Sequence, residues 1–275
     1  SAKVPVKDNV TSFKTLKIGD EIAFVCTAAG SNFAYTTKDA KSWTEKSVSV
    51  ETGKVLDWKT LCVSGNKAYV LSDNSDVLVT ELPAFDFKST GLSAEEILFN
   101  IDGNIWAIAE IEGTRKLCSI DFDQNTYINA VSLPEAFPSE HIKATACKSG
   151  QSTLGYVYGI KDNASCLWAI DTKGKVTEIV KAGRSLPLRK GFEFCFFQSN
   201  LGMVGGIDEN GVFSKKYYYT KNSGLDWTHD WHKDLPDEMG QISDFNIINI
   251  SDDEILLSCG VADGIFTPAV WKGTI

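Results

Sequence analysis

Residues 13–25 read "FKTLKIGDEIAFV", and residues 58–71 read "WKTLCVSGNKAYVL". The second phrase restates the first about 45 residues later. Each begins with an aromatic residue followed by Lys-Thr-Leu, turns at Gly19 or Gly65, and continues into a second apolar run. A Gly, Asn or Asp turn between two short apolar runs is the signature of a β-hairpin, because such residues supply positive φ or local backbone bonding. The same shape recurs in "ILFNIDGNIWAIAE", "ATACKSGQSTLGYVYG", "FCFFQSNLGMVGG" and "FNIINISDDEILLSCG". The predicted turns are Asp102-Gly103, Ser149-Gly150, Ser199-Asn200 and Asp252-Asp253.

After each hairpin comes a third short apolar or aromatic run: "FAYTT", "DVLVTE", "KLCSID", "CLWAID", "KYYYTK" and "PAVWKG". A fourth run, "WTEKSV", "FDFKS", "YINAVSL", "VTEIV" or "DWTHDW", follows in all but the last unit. Val4–Val10, "VPVKDNV", precedes the first unit and is the expected fourth strand of the last. Four strands repeated at this period predict a β-propeller. The expectation is an all-β fold over residues 1–275: one domain, a six-bladed β-propeller of four-stranded blades, with the N-terminal strand closing the last blade. The 3.6-residue apolar period is nowhere sustained, and "SAEEIL" is the best helical candidate, for a turn or two.

Bulk properties narrow the function. Hydrophobic content of 43% supports a packed core. A net charge of −9 without a basic stripe speaks against nucleic acid as partner. No apolar run reaches the ~18 residues a membrane helix requires. The chain opens at Ser1 with no methionine and no leader, so it reads as a mature or trimmed piece. An upstream domain beyond this sequence is the expected attachment point. Seven cysteines lie mainly within apolar strand runs and lack CxxC spacing, which reads as buried, reduced thiols.

"TKNSGLDW", Thr220 to Trp227, is similar to the Asp-box of sialidase-like propellers, whose pattern is Ser/Thr-x-Asp-x-Gly-x-x-Trp. Thr220, Asn222, Gly224 and Trp227 occupy its places, with Asn in place of Asp. A shortened copy, "TKDAKSW", spans Thr37 to Trp43. In that family the box forms the turn between the third and fourth strands, so the resemblance implies a structural role for these residues. "GMVGGIDENGVFSKKYYYTKNSGLDW" also resembles a kelch repeat, as do Leu133-Pro134 and Leu235-Pro236 after fourth strands. The whole chain resembles uncharacterised Bacteroidetes cell-envelope propeller proteins, which implies a periplasmic or cell-surface location, reached by secretion or through a lipid-anchored precursor.

The resemblance does not carry the sialidase activity across. That family holds a carboxylate with three arginines, whose planar forks match it. Here the arginines are Arg115, Arg184 and Arg189; none falls in the first unit and two share a loop. His141, His229 and His232 are the histidines, and "HDWH" alone is too sparse for a metal centre. "SDNSD", "DFDQN" and "IDENG" are oxygen-rich, but turns use the same residues for backbone bonding. The reading assigns no catalytic residue, no cofactor and no metal.

In a propeller the loops joining strands two and three share a face with those leading from one blade to the next. The former carry Arg115, Asp162, Asp208 and Asp263; the latter carry Arg184, Arg189, Trp231 and His232. Arginine and tryptophan are the usual anchors of recognition sites. The expectation is non-catalytic binding of a glycan or protein ligand on that face. The alternative is a glycoside hydrolase or lyase using carboxylates in the central funnel.

Overall fold

The computed structural model describes residues 2–6, 10–39, 41–51, 53–149, 152–180, 192–198, 201–207, 213–229, 242–251, 254–262 and 266–274. Among them every regular element is a β-strand, and the strands form six hydrogen-bonded sheets. Sheet A comprises Val10–Ile18, Glu21–Ala28, Ser31–Thr37 and Thr44–Lys46; sheet B, Leu56–Ser64, Lys67–Ser72, Asp76–Glu81, Asp86–Ser93 and the short Ser49–Val50; sheet C, Glu96–Ile101, Asn104–Ile111, Thr114–Asp121 and Thr126–Ser132. Sheet D comprises Glu140–Ser149, Ser152–Lys161, Ala164–Ile170 and Val176–Val180; sheet E, Phe192–Gln198, Leu201–Ile207, Phe213–Thr220 and Thr228–His229; sheet F, Ile242–Ser251, Glu254–Ala262, Phe266–Thr274 and Ala2–Lys3.

The hairpins fall where the turn residues place them. Their closing pairs are Ile18 with Glu21, Ser64 with Lys67, Ile101 with Asn104, Ser149 with Ser152, Gln198 with Leu201, and Ser251 with Glu254. Gly150, Ser199-Asn200 and Asp252-Asp253 themselves lie outside the described residues. Asp102 and Gly103 both have positive φ, 50° and 90°. That primed turn matches the right-handed twist of its strands.

The chain divides into two compact units, residues 1–132 with 265–271 and residues 133–264 with 272–275. In the first, the first strands of A, B and C are successive neighbours. Leu16, Ala23, Val25 and Ala34 of sheet A pack against Leu56, Trp58, Val70, Leu78 and Phe87 of sheet B. Tyr69, Leu71 and Val77 on the other face of sheet B pack against Ile97, Ile105, Ala107, Ala109 and Cys118 of sheet C. In the second unit, Tyr156, Tyr158, Leu167 and Val180 of sheet D meet Phe194 and Phe196 of sheet E. The Tyr156 and Phe196 rings stack 3.9 Å apart.

This layering explains a pattern in the sequence. A strand covered on one face alternates, whereas one covered on both reads as an unbroken apolar run. "AFVCTA" in sheet A and "IWAIA" in sheet C are buried throughout. Outer Thr126–Ser132, by contrast, is largely exposed.

Lateral polar bonds join the first strands. Ser12 donates to Asp57 Oδ1 at 3.2 Å, and Lys14 Nζ donates to the Lys59 carbonyl at 3.0 Å, each pair 45 residues apart. The two lysines are equivalent positions of the opening echo. Asn100 Nδ2 donates to the Val63 carbonyl, Ser64 to the Gly103 carbonyl, and Lys143 pairs with Glu193.

Three expectations are corrected. The strand paired with the carboxy-terminal segment is Ala2–Lys3, with Ala2 opposite Val270 and Lys3 opposite Ala269, not Val4–Val10; Val4 is buried and Val10 begins sheet A. Sheet B has five strands, because Ser49–Val50 lies parallel to Asp86–Phe87, with Val48 and Val50 packed against the A/B core. "SAEEIL" forms no helix. Glu96–Ile101 is a strand, and Ala94 and Ile97 are buried in the B/C core, so tertiary burial overrides local helical preference.

Trp58 is fully buried and meets the Phe87 ring edge-on at 5.6 Å. Replacing Trp58 with alanine is expected to cost about 3–5 kcal/mol, read as a lowered urea midpoint.

Candidate functional site

The best-defined polar constellation is the turn after the third strand of sheet E. Thr220 Oγ1 donates to Asn222 Oδ1 at 3.0 Å and accepts from the Gly224 amide at 2.9 Å. Asn222 Oδ1 accepts the Asp226 amide, and Asn222 Nδ2 donates to Asp226 Oδ2, both at 2.9 Å. Trp227 Nε1 donates to the Gly224 carbonyl at 3.0 Å, and its ring packs edge-on to Phe196 at 6.1 Å. Gly224 is needed twice over. Its φ is +86°, and a Cβ there would lie 2.5 Å from Leu167 Cδ2 of sheet D. The polar groups fasten the turn to itself, the glycine lets it close on Leu167 of the neighbouring sheet, and the indole packs on Phe196 of its own.

Sheet A repeats the design. Thr37 Oγ1 donates to Asp39 Oδ1, which also accepts the amides of Lys41 and Ser42 at 2.8 and 2.9 Å. Those amides, Ser42 first and then Lys41, hold the Asp39 carboxyl below its ordinary 3.8. Two further members follow, one inside the "DFDQN" that reads as a turn and one that sequence reading missed. Asp121 Oδ1 accepts the Asp123 and Gln124 amides after the third strand of sheet C; Asp171 Oδ1 accepts the Lys173 and Lys175 amides after that of sheet D. The signal was an Asp at the end of each third run, "SID" and "AID", without the Gly and Trp that mark the fuller motif.

Of the ligand-face candidates, Arg115 lies in the first unit and Asp162 in the second. Arg115 begins the third strand of sheet C, and its Nε donates to Glu95 Oε2 at 2.5 Å. Asp162 and Asn163 form a primed turn with φ of 51° and 61°, joining the second and third strands of sheet D. Ala29-Gly30 and Glu112-Gly113 are likewise two-residue connections with positive φ. These turns are too short to fold over a ligand. Arg184, Arg189, Asp208, Trp231, His232 and Asp263 lie outside the described residues.

The oxygen-rich segments that are described serve backbone bonding. In "SDNSD" the Ser72 hydroxyl accepts the amides of Asn74 and Asp76, while Asp76 pairs with Lys54. Among the described residues no group of three or more His, Cys, Asp or Glu side chains is placed to hold a metal. Cys26, Cys62, Cys118, Cys147 and Cys166 form no disulfide, and burial pushes the thiols of Cys26, Cys118 and Cys147 up to about 12. Thiols so held contribute no thiolate at neutral pH.

Two outcomes follow from the turns. Gly224→Ala is expected to destabilise the chain by about 1–3 kcal/mol, visible as a lowered melting temperature and loss of the near-ultraviolet signal of Trp227. Because the folded Asp39 is a stronger acid than its unfolded counterpart, its contribution is complete above 3.8 and disappears as pH falls through the lower folded value. Amide shifts of Lys41 and Ser42 should therefore move in acid with the Asp39 carboxyl that holds them.

Several solved structures share this architecture. SapL1 lectin in complex with α-methyl fucoside aligns with a TM-score of 0.62 at 10% identity, covering 97% of this chain and 94% of its own. The α-L-arabinanase of Penicillium chrysogenum complexed with arabinobiose aligns at 0.58 and 10%, covering 97% and 93%. A protein of Bacteroides fragilis aligns at 0.58 and 11%, covering 100% and 94%. At such identities the likeness concerns the fold alone. No curated protein matches the sequence. The family model described as the DUF6242 beta propeller domain matches residues 1–275, and the chain belongs to that β-propeller family.

Proposed function

We propose that this chain is a single six-bladed propeller, closed through its N-terminal strand, that serves the bacterial cell envelope as a non-catalytic recognition module for a glycan or protein. The six sheets and the pairing of Ala2–Lys3 with Ala269–Val270 support the blade count and the closure. Thr220, Asn222, Gly224 and Trp227 then act as a structural Asp-box. Ligand contacts are assigned to Arg184, Arg189, Trp231 and His232, and to Arg115, Asp162, Asp208 and Asp263. The module works at the cell surface or in the periplasm.

The observation favouring binding over hydrolysis is the use made of the first-strand carboxylates. A glycosidase needs two carboxyl groups facing a substrate. Asp57 instead takes the Ser12 hydroxyl and the Lys59 amide, and Glu193 is paired with Lys143 of the neighbouring sheet. These bonds serve sheet packing. The sugar complexes of SapL1 lectin and of the fungal arabinanase make glycans the first ligands to try, and they keep the hydrolase as the competing reading.

A glycan array probed with the purified chain should yield bound sugars that are recovered uncleaved. Arg184→Ala and Trp231→Ala should weaken binding by roughly 2 kcal/mol each, as anchor residues do. Release of reducing sugar that disappears in Asp57→Asn or Glu193→Gln would replace this reading with the hydrolase. An empty array together with no envelope protein retained would remove it.

A further inference from the structure

A groove of about 350 Å³ opens on sheet B, lined by Lys67, Val79, Glu81, Ala84, Asp86 and Lys88. It lies at the end of the sheet that carries the Gly65 hairpin turn and the Leu82-Pro83 turn, opposite the connection at Asp73–Ser75. The register explains its chemistry. Lys67 stands directly across from Glu81, and Lys88 across from Val79, so these side chains share one face of the sheet. That face continues from Tyr69, which stacks on Phe122 at 3.7 Å.

Two charges on this face, those of Lys67 and Glu81, are left unused by the fold. Opposite charges placed directly across two antiparallel strands ordinarily meet. No hydrogen bond or ion pair within 4.0 Å joins Lys67 to Glu81, and neither charged group has a partner among the described residues. Asp86, by contrast, is oriented by the Ser49 hydroxyl on one oxygen and lies 4.0 Å from Lys88 on the other. The lining thus offers two ammonium donors and two carboxylate acceptors of zero summed charge, over the small apolar floor of Val79 and Ala84. Its volume falls at the lower end of the range for ligand pockets.

We propose that this groove is a subsite for one neutral saccharide unit. One ring hydroxyl donates to Glu81 and a neighbouring hydroxyl oxygen accepts from Lys67, with the ring's C–H face on Val79 and Ala84. The zero summed charge offers phosphates and uronates no net attraction to offset their desolvation. This deepens the glycan reading above and uses a different part of the molecule, since Arg184 and Trp231 belong to the other unit.

The test is titration of the labelled whole chain with methyl glycosides of neutral hexoses, followed by NMR. The methyl signals of Val79 and Ala84 should shift saturably at millimolar concentrations. Lys67→Met and Glu81→Gln should each weaken that binding about tenfold, the loss expected for a hydrogen bond to a charged group, while Arg184→Ala leaves it unchanged. Unmoved Val79 and Ala84 signals in the native chain overturn the proposal without recourse to any variant. So does a response to glycine or another zwitterion in place of the glycosides, or full affinity in both variants. If array glycans bind while those methyls stay still, the groove is removed and the recognition reading stands. If no glycan binds anywhere, the sugar reading falls with it.

Discussion

The structure depends on the burial of middle strands from both sides. "AFVCTA" and "IWAIA" have no polar face to turn toward water, so neither strand is stable with one side left bare. Sheet B shows the arrangement most fully, giving Trp58, Val70 and Phe87 to sheet A and Tyr69, Leu71 and Val77 to sheet C. At about 25 cal/mol per Å², aromatic side chains of 150–250 Å² dominate such interfaces. Trp58, Trp106, Tyr156 and Phe196 are all fully buried. The polar bonds between first strands, Ser12 with Asp57 and Lys143 with Glu193 among them, add alignment along strands already brought together by apolar surface.

The turns after the third strands serve the same end by different chemistry. An Asx oxygen collects two backbone amides in sheets A, C and D, and in sheet E the task is shared between Thr220 and Asn222. Sheet B turns instead through the cis Leu82-Pro83 peptide, with the Ala84 amide donating to the Glu81 carbonyl. Among the described residues only sheet E adds Gly224 and Trp227, and there the turn reaches Leu167 across the sheet boundary and Phe196 within its own sheet. Polar residues that look ligand-ready in sequence are thereby committed to backbone.

Much of the fold was legible because its information is local. Gly19, Gly65 and Asp102-Gly103 announce hairpins by their own conformational needs, and Val176–Val180 is a strand to the residue of the predicted run. What escaped depends on other sheets. Nothing in Ser49–Val50 announces that it will lie parallel to Asp86–Phe87, since that pairing follows from Val48 and Val50 entering a distant core. "SAEEIL" failed for the same reason, its helical preference losing to the burial of Ile97. The surroundings of candidate-site residues were less legible: the sequence does not announce that Glu95 accepts from the Arg115 Nε, or that Asp162 takes positive φ in a primed turn. Asp121 stood out within the oxygen-rich "DFDQN", whereas Asp171 went unnoticed because one carboxylate holding two amides leaves little trace in sequence.

The pairing of Ala2 with Val270 and Lys3 with Ala269 has a mechanical consequence. In an antiparallel pair of this register, the chain before Ala2 leaves the pairing in the same direction in which Phe266–Thr274 continues past Val270. Tension drawn between whatever is attached at the two ends would therefore open the ladder one rung at a time, as a zipper, rather than load all its rungs together in shear. With two residue pairs to part, the seam would be the place where a pulled molecule first gives way.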